Sequence, residues 1–246
     1  MTRMLLYRCW LEVRGRFLAS AAVMALLGIA TVVRARGTIG GLKHFHGEPV
    51  PYALYVWLSL PHGYQQFTWI LAALLLALGG LLRERAMGTA GFTLSLPVAR
   101  WRVVAARAVV GAAAAAVLAF IPLVLMSVLS PLAGYAYPLR QALLLAVLLA
   151  GVGMVFYGLG FLLSHLATGE HTAPAVGIGL VGVLWVLTRL PRFAAYDVFA
   201  VMSGKPYLSR QTFYLPHLPW TALAASLAVF AAMVAASALI TRQRDF

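Results

Sequence analysis

Residues Val103–Leu129 read VVAARAVVGAAAAAVLAFIPLVLMSVL and contain one charged residue, Arg107. A transmembrane α-helix needs ~20 consecutive, mostly apolar residues, and this run is longer than that. Because the membrane interior has no water for backbone N–H and C=O groups, these groups must pair within the segment, as they do in a helix. Membrane barrels show short segments of alternating hydrophobicity instead. The stretch therefore predicts a membrane-spanning helix.

Five further apolar runs lie on either side of this stretch, so the sequence predicts an all-α membrane protein with six transmembrane helices. The predicted spans are Phe17–Val33, Phe67–Leu82, Val103–Leu129, Ala142–Leu163, Ala173–Leu187 and Trp220–Ile240. The second and fifth runs are short for a crossing, but they can extend over neighbours such as Gln65, Gln66 and Thr188. Arg107 is the only charged residue inside the six runs, and near the end of its run it can reach the interface. We treat residues 1–246 as a single transmembrane domain.

The composition of the whole chain indicates the same class of protein. Hydrophobic residues make up 63% and charged residues 10% of the sequence, whereas soluble domains have roughly 45–50% and about 25%. The net charge is +13, which in a soluble domain would suggest nucleic acid. Here the basic residues lie between apolar runs, where they set topology and contact lipid headgroups. We therefore predict membrane lipid, and not nucleic acid, as a partner.

The distribution of Lys and Arg predicts that both termini are cytoplasmic. With this orientation most of the 19 basic residues fall in the inner segments, which are also the shorter ones. We expect a multi-pass protein of the cell membrane, in bacteria the inner membrane. Two long outer segments, 34–66 and 188–219, then contain short interfacial or re-entrant helices at Tyr52–Leu60 and Phe193–Met202.

The segment Met1–Arg16 is basic and has apolar residues at helical spacing. This pattern predicts an amphipathic helix at the membrane interface, although a basic flank that orients the first span explains it equally well. The residues of this interfacial helix that we single out are Trp10, Glu12 and Arg14.

Several patterns that are typical of binding sites have simpler explanations here. GIGLVG at Gly177–Gly182 matches a dinucleotide fingerprint, but it lies inside an apolar run rather than after a strand. Small residues that allow close helix packing explain it better, as they do for Gly151, Gly153, Gly158 and Gly160. The single cysteine, Cys9, excludes an internal disulfide and a CxxC metal or redox pair.

Polar clusters give no strong sign of an active site. His44, His46 and Glu48 form an HxHxE pattern, with His62 further along, but no second tight cluster completes a metal site. Ser164 beside His165, followed by Glu170 and His171, lacks anything to form an oxyanion hole. No phosphate-binding GxxxxGK[ST] loop occurs, so the chain should not hydrolyse ATP by itself. We predict no catalytic residue, cofactor site or metal site in this chain.

The most informative connection joins the second and third predicted spans, as RERAMGTAGFTLSLPVARWRVVAAR at Arg83–Arg107. It begins with charged residues, breaks at Gly-Thr, continues as a short apolar helix and stops at Pro97. The segment resembles the cytoplasmic loop of ABC transporter permeases of the type-2 exporter family. The matching positions are Glu84, Gly88, Thr89, Leu94, Leu96, Pro97, Val98, Arg100 and Arg107. Ala90 and Arg107 stand where the family more usually has Leu and Lys.

The resemblance implies an exporter permease that uses ATP and Mg bound by a separate ABC ATPase subunit. It also implies a second permease subunit, identical or related. ATP-driven closure of the ATPases would push on a coupling helix between spans two and three and on the N-terminal helix. The residues that would carry this coupling are Arg83, Glu84, Arg85, Gly88, Thr89, Leu94, Leu96, Pro97 and Arg100.

Two other classes of protein stay open at this point. A secondary transporter would be expected to hold ionisable residues within its spans, and the only one here is Arg107. An intramembrane enzyme would need inward-facing His, Asp or Glu pairs, whereas these histidines fall mostly in loops or at span ends. Co-purification with a nucleotide-binding ATPase would separate the exporter from both classes.

Overall fold

The computed structural model of the chain describes residues 2–46, 50–78, 100–166, 172–193 and 196–243. Within these ranges it is helical and contains no strand, which confirms the predicted all-α fold class. The α-helices are α1 Thr2–His46, α2 Tyr52–Ser59, α3 Gln65–Ala77, α4 Arg100–Leu129, α5 Leu139–Leu166, α6 Thr172–Thr188, α7 Val198–Met202 and α8 Trp220–Gln243. A π turn at Leu60–Tyr64 joins α2 to α3, and 3₁₀ turns cover Ser130–Ala133 and Lys205–Tyr207.

Four regions of the described chain are long and apolar enough to cross a membrane. They are Arg3–Gly41, Trp101–Ala133, Leu139–Leu166 and Trp220–Thr241. α6 is apolar but shorter, and the described part of the second predicted span ends just after α3. Six crossings therefore remain a prediction. α3 begins at Gln65 and α6 ends at Thr188, so both short runs do extend over the polar neighbours named above.

α1 extends beyond the first predicted span. That span ends at Val33, and the helix continues to His46. The residues after Val33 include glycines but no proline before Pro49, and a glycine inside a helix costs only about 1 kcal/mol relative to alanine. The basic N-terminal segment belongs to the same helix, so the described residues contain no separate interfacial helix at this end.

The helix expected at Tyr52–Leu60 is present as α2, but it continues into α3 instead of standing alone. The chain kinks at Gly63, whose φ of −104° and ψ of −137° are not helical. A Cβ at this position would collide with the carbonyl oxygen of Leu58. The close backbone approach therefore requires glycine, and α2, the π turn and α3 form one kinked unit.

Of the helix expected at Phe193–Met202, the structure shows α7, Val198–Met202, while residues 194–195 lie outside the described residues. The Asp197 side chain accepts a hydrogen bond from the Ala200 N–H at 3.0 Å and so caps the first turn. An aspartate in this position stabilises a helix start, which explains why α7 begins at Val198.

α5 lies at the centre of the bundle and packs against α3, α4, α6 and α8. Its glycines form two pairs, each seven residues apart, on two faces of the helix. Gly153 and Gly160 face α3, where a Cβ would collide with the Trp69 ring or approach Leu74 to 3.0 Å. Two further glycines, Gly151 and Gly158, face α8 in the same way. The prediction that these small residues allow close helix packing is confirmed.

The glycines of α6 differ from those of α5. Gly177 lies against Leu74 of α3, 3.4 Å from the position that a Cβ would occupy. Gly179 and Gly182 have no described atom within 4 Å of that position. A Cβ at Gly177 would make only an ordinary van der Waals contact, so the packing explanation for the GIGLVG pattern stays a prediction.

α3 is joined to α4 by side chains that reach backbone carbonyls. The Gln65 amide donates to the carbonyl of Ala119 at 3.2 Å, and the Trp69 indole N–H donates to the carbonyl of Ala115 at 2.9 Å. Donors and acceptors are each four residues apart, so both bonds lie on one face of each helix. The small alanine side chains of α4 allow this approach, and the two bonds fix the position of α3.

Candidate functional site

Glu12 on α1 forms ion pairs with two arginines. Its carboxylate lies 3.5 Å from Arg107 Nη2 on α4 and 3.6 Å from Arg8 Nε on α1 itself. The side chains of Arg107 and Glu12 are 9% and 28% exposed, so solvent screens their pair less than it screens a surface pair. The Glu12–Arg107 pair therefore fastens α1 to the beginning of α4.

One turn further along α1, Arg16 contacts the end of α3. Its guanidinium donates to the carbonyl oxygens of Leu75, at 3.2 Å, and of Leu78. The last carbonyls of a helix have no partner within the helix and carry partial negative charge. The Arg16 guanidinium supplies hydrogen-bond donors and a positive charge at this point, so it holds the end of α3 against α1.

We call these contacts the α1 bridge, meaning the Glu12–Arg107 ion pair and the Arg16 hydrogen bonds to Leu75 and Leu78. α3 ends and α4 begins on either side of residues 79–99. The α1 bridge therefore attaches one helix to both flanks of that connection. A force on the connection that moves its flanks would have to move α1 or break the bridge.

The predicted coupling residues belong to this connection. Arg83, Glu84, Arg85, Gly88, Thr89, Leu94, Leu96 and Pro97 lie outside the described residues. Arg100 is the first residue of α4, and its side chain also lies outside them. The coupling helix and the roles of these residues therefore stay predictions.

The three residues predicted for the interfacial helix have different surroundings. Glu12 is part of the α1 bridge. Trp10 packs against Phe17, with ring centroids 5.4 Å apart, and Arg14 is exposed. Only Glu12 therefore takes part in the contacts that fix α1 to the neighbouring helices described above.

The roles of Arg16 and Arg107 were not predicted from the sequence. The spacing of Arg8, Glu12 and Arg16 is a usable signal, because residues four apart share a helix face. Arg107 was expected to extend to the membrane interface, but the structure pairs it with Glu12 in a largely buried position. Because Arg107 is the one charged residue within the predicted spans, a partner of opposite charge was to be expected.

Tyr157 connects α5 to the part of α4 that contains Arg107. Its hydroxyl donates to the Arg107 carbonyl at 3.5 Å, and Gly111 on α4 leaves room for that hydroxyl. The buried Cys9 lies on the same stretch of α1 as the bridge. α1, α3, α4 and α5 therefore meet at one end of the bundle, which we call the bridge end.

A second group of contacts lies at the opposite end, around the π turn, and we call this the kink end. The His62 ring stacks on Trp57 with centroids 4.7 Å apart, and its Nδ1 lies 3.3 Å from Ser203 Oγ. The Trp57 indole donates to the Ser203 carbonyl at 2.8 Å. Gln66 donates to the Phe199 carbonyl at 2.6 Å. These bonds join the kinked unit to α7.

Burial lowers the pKa of His62, and the nearby cations Lys205 and Arg189 lower it further, while Asp197 opposes them. The imidazole is therefore held in its neutral form. His44 and His46 lie in the last turn of α1, and Glu48 lies outside the described residues. Across the described ranges, no group of three His, Cys, Asp or Glu residues could hold a metal ion.

Ser164 and His165 lie in the last turn of α5, and both bond to the Phe161 carbonyl. Ser164 Oγ donates to it at 2.7 Å, and His165 Nδ1 lies 2.8 Å from it. Since a carbonyl oxygen only accepts, Nδ1 carries the proton and cannot serve as a base toward the Ser164 hydroxyl 3.2 Å away. His165 therefore does not activate the Ser164 hydroxyl, and Glu170 and His171 lie outside the described residues.

Comparison with known families matches residues 15–204 to the ABC-2 family transporter protein. The match includes most of α1, both flanks of residues 79–99 and the chain as far as α7. A search of curated proteins finds no match. The family match covers well over half of the chain, so it confirms the resemblance found in the connection between spans two and three. The chain belongs to the ABC-2 family of transporter proteins, which are membrane permeases of ABC transporters.

Proposed function

We propose that this chain is the membrane-spanning subunit of an ATP-driven exporter and that a separate ABC ATPase subunit supplies the energy. Family membership supports a permease of an ABC transporter system. The proposal that an ATPase drives this chain rests on the α1 bridge. The bridge attaches α1 to both flanks of the connection that resembles a coupling loop. ATP and Mg would bind to the partner, and a second permease subunit would complete the transporter.

The α1 bridge suggests how a push from the ATPase would spread. A displacement of residues 83–97 would first reach the end of α3 and the beginning of α4. Arg16 and the Glu12–Arg107 pair would then carry it to α1. Packed helices shift between discrete arrangements rather than deforming smoothly, so α1 would move as a rod.

α1 is long enough to transmit this movement across the membrane. At 1.5 Å per residue, the helix from Arg16 to Arg36 covers ~30 Å, the thickness of the hydrocarbon layer. Near its far end, the Thr31 carbonyl accepts a hydrogen bond from the Tyr55 hydroxyl at 2.8 Å. A shift of α1 would therefore reach α2 and the kinked unit.

The proposed orientation places the bridge end in the cytoplasm, with six crossings and both termini inside. The basic residues of the N-terminal segment support this orientation. A cysteine at Gln243, introduced after removal of Cys9, should react with an impermeant thiol reagent only once the inner face is opened. A cysteine at Pro49 should react in intact cells. Labelling of Gln243 from outside would contradict the orientation.

The experiment for the coupling role compares three variants in pull-down and transport assays with the partner ATPase. Glu84→Ala should preserve expression but lower ATP-driven transport, since loss of one partner of a charge pair costs roughly 2–5 kcal/mol when the other remains unpaired. Leu96→Asp should release the ATPase, because it places an unpaired carboxylate in an apolar contact. Arg192→Ala, on the opposite side, is the control and should do neither. Equal behaviour of all three variants would contradict the coupling role.

A further inference from the structure

An open groove of about 420 Å³ lies between α1 and the end of α4. On one side it is lined by Ile29, Val32 and Val33 of α1, and on the other by Leu129 and Leu132. Val33 and Leu132 are 75% and 78% exposed, so the groove opens outward from the bundle. The opening lies on the outer surface of the single chain, where the acyl chains of a membrane could reach it.

Arg36 lies at one end of this apolar groove. The Arg36 Nε donates to the Ala133 carbonyl at 2.9 Å, which fixes the guanidinium beside the 3₁₀ turn that follows α4. This bond uses one of the five N–H donors of arginine. Among the residues that the structure describes, no acceptor is found for the terminal Nη1 and Nη2 groups of Arg36. Within the described part of the chain, four donors therefore remain for a ligand.

The position of the groove along α1 matches the layers of a membrane. If Arg16 lies near one interface, Arg36 lies ~30 Å away and thus near the other. Ile29 and Val33 are ~10 Å and ~5 Å from Arg36 along the helix, so they lie within the hydrocarbon layer. Apolar walls at the depth of acyl chains, with a cation at the depth of headgroups, are complementary to an anionic lipid.

We infer that this groove binds one anionic phospholipid from the leaflet at the kink end. Its phosphate accepts hydrogen bonds from the terminal nitrogens of Arg36, and one acyl chain lies along Val33 and Leu132. Charge complementarity selects the headgroup, whereas the apolar walls hold any acyl chain. The inference concerns a lipid site and does not depend on the coupling proposed above.

The experiment is native mass spectrometry of the full chain in detergent, with phosphatidylglycerol or phosphatidylcholine of the same acyl chains added in turn. The wild-type protein should retain phosphatidylglycerol in preference to phosphatidylcholine. Arg36→Gln should lower that preference about fivefold, the effect expected for one basic residue near an anionic surface. Val33→Trp, at an exposed position, should fill the groove and lower retention of both lipids.

Arg34→Gln is the matched control, since Arg34 is an exposed arginine on the same helix that does not line the groove. It should leave the preference unchanged, and thermal unfolding should show that all variants fold alike. Equal lipid preferences in the Arg34→Gln and Arg36→Gln variants would overturn the inference. Loss of bound lipid on addition of inorganic phosphate alone would assign the site to a free anion instead. Loss of dimer, but not of lipid, in Val33→Trp would assign it to a second copy of the chain.

Discussion

At the bridge end α1 is held by charged groups, whereas at the kink end the contacts are made by neutral side chains and backbone carbonyls. The Glu12–Arg107 pair keeps its charges 3.5 Å apart in a position that retains some exposure to solvent. By contrast, the Trp57 indole is buried and bonds to the Ser203 carbonyl at 2.8 Å. Arg16 at the bridge end also donates to the backbone carbonyls of Leu75 and Leu78, so the two ends differ by the ion pair rather than by their backbone bonds. The ion pair at the bridge end is consistent with the proposal that this end passes a push from the ATPase to α1.

The kink end should show the largest effect on stability. Trp57→Ala removes a buried indole, its hydrogen bond to Ser203 and its stacking on His62. We expect a loss of about 3–5 kcal/mol in the free energy of unfolding, the usual cost of truncating a buried aromatic residue. Thermal unfolding in detergent measures this. Trp220→Ala, at a 71% exposed position, is the control and should have little effect. Similar losses in both variants would show that the kink end is not specially fixed.

The bridge end should show a smaller effect on stability. Arg107→Met leaves the Glu12 carboxylate without its partner on α4 but keeps an apolar side chain of similar length. The expected loss is roughly 1–3 kcal/mol, between the values for surface and buried pairs. The same unfolding assay measures it. Arg14→Met, on the exposed face of α1, should be close to neutral. A loss larger than that of Trp57→Ala would reverse the comparison between the two ends.

The smallest effect should be a pH dependence confined to the kink end. The folded protein lowers the pKa of His62 below its ordinary value of 6.5. Near and below pH 6.5 the unfolded chain therefore binds more protons at His62 than the folded protein does, so the free energy of unfolding rises with pH. The contribution is present above about pH 6.5 and is lost as pH falls through the folded pKa.

His62→Gln tests this prediction, since it removes the titrating group while keeping a polar side chain beside Ser203. The fall in melting temperature between pH 7.5 and pH 5.5 should be smaller in the variant than in the wild-type protein, under the same detergent conditions. His217→Gln, at an exposed position, should keep the wild-type fall. An unchanged fall in the His62→Gln protein would assign the pH dependence to other groups.

The sequence predicted the helical class and the positions of the apolar runs, because lipid solvation restricts the backbone to few structures. It also predicted the close packing around the glycines of α5, since small residues have few other uses inside an apolar helix. The continuation of α1 beyond Val33 was not predicted. A glycine costs about 1 kcal/mol relative to alanine inside a helix, which is too little to end one.

The candidate site was predicted only in part. Glu12 was named, but its partner Arg107 lies 95 positions away along the chain, and no local pattern links the two. Arg16 was seen as part of a basic segment, yet its role depends on where α3 ends, which is a tertiary feature. Family resemblance supplied the coupling segment itself, and its structural role remains a prediction.

The central claim is that the Glu12–Arg107 pair transmits the action of the ATPase to α1. A double-mutant cycle of Glu12→Gln and Arg107→Gln, measured as substrate transported per ATP hydrolysed with the partner ATPase, tests it most directly. Each single variant should lower this ratio, and the double variant should be no worse than the worse single variant, because both remove the same link. Independent, additive losses, or an unchanged ratio in variants that are merely less stable, would contradict the account.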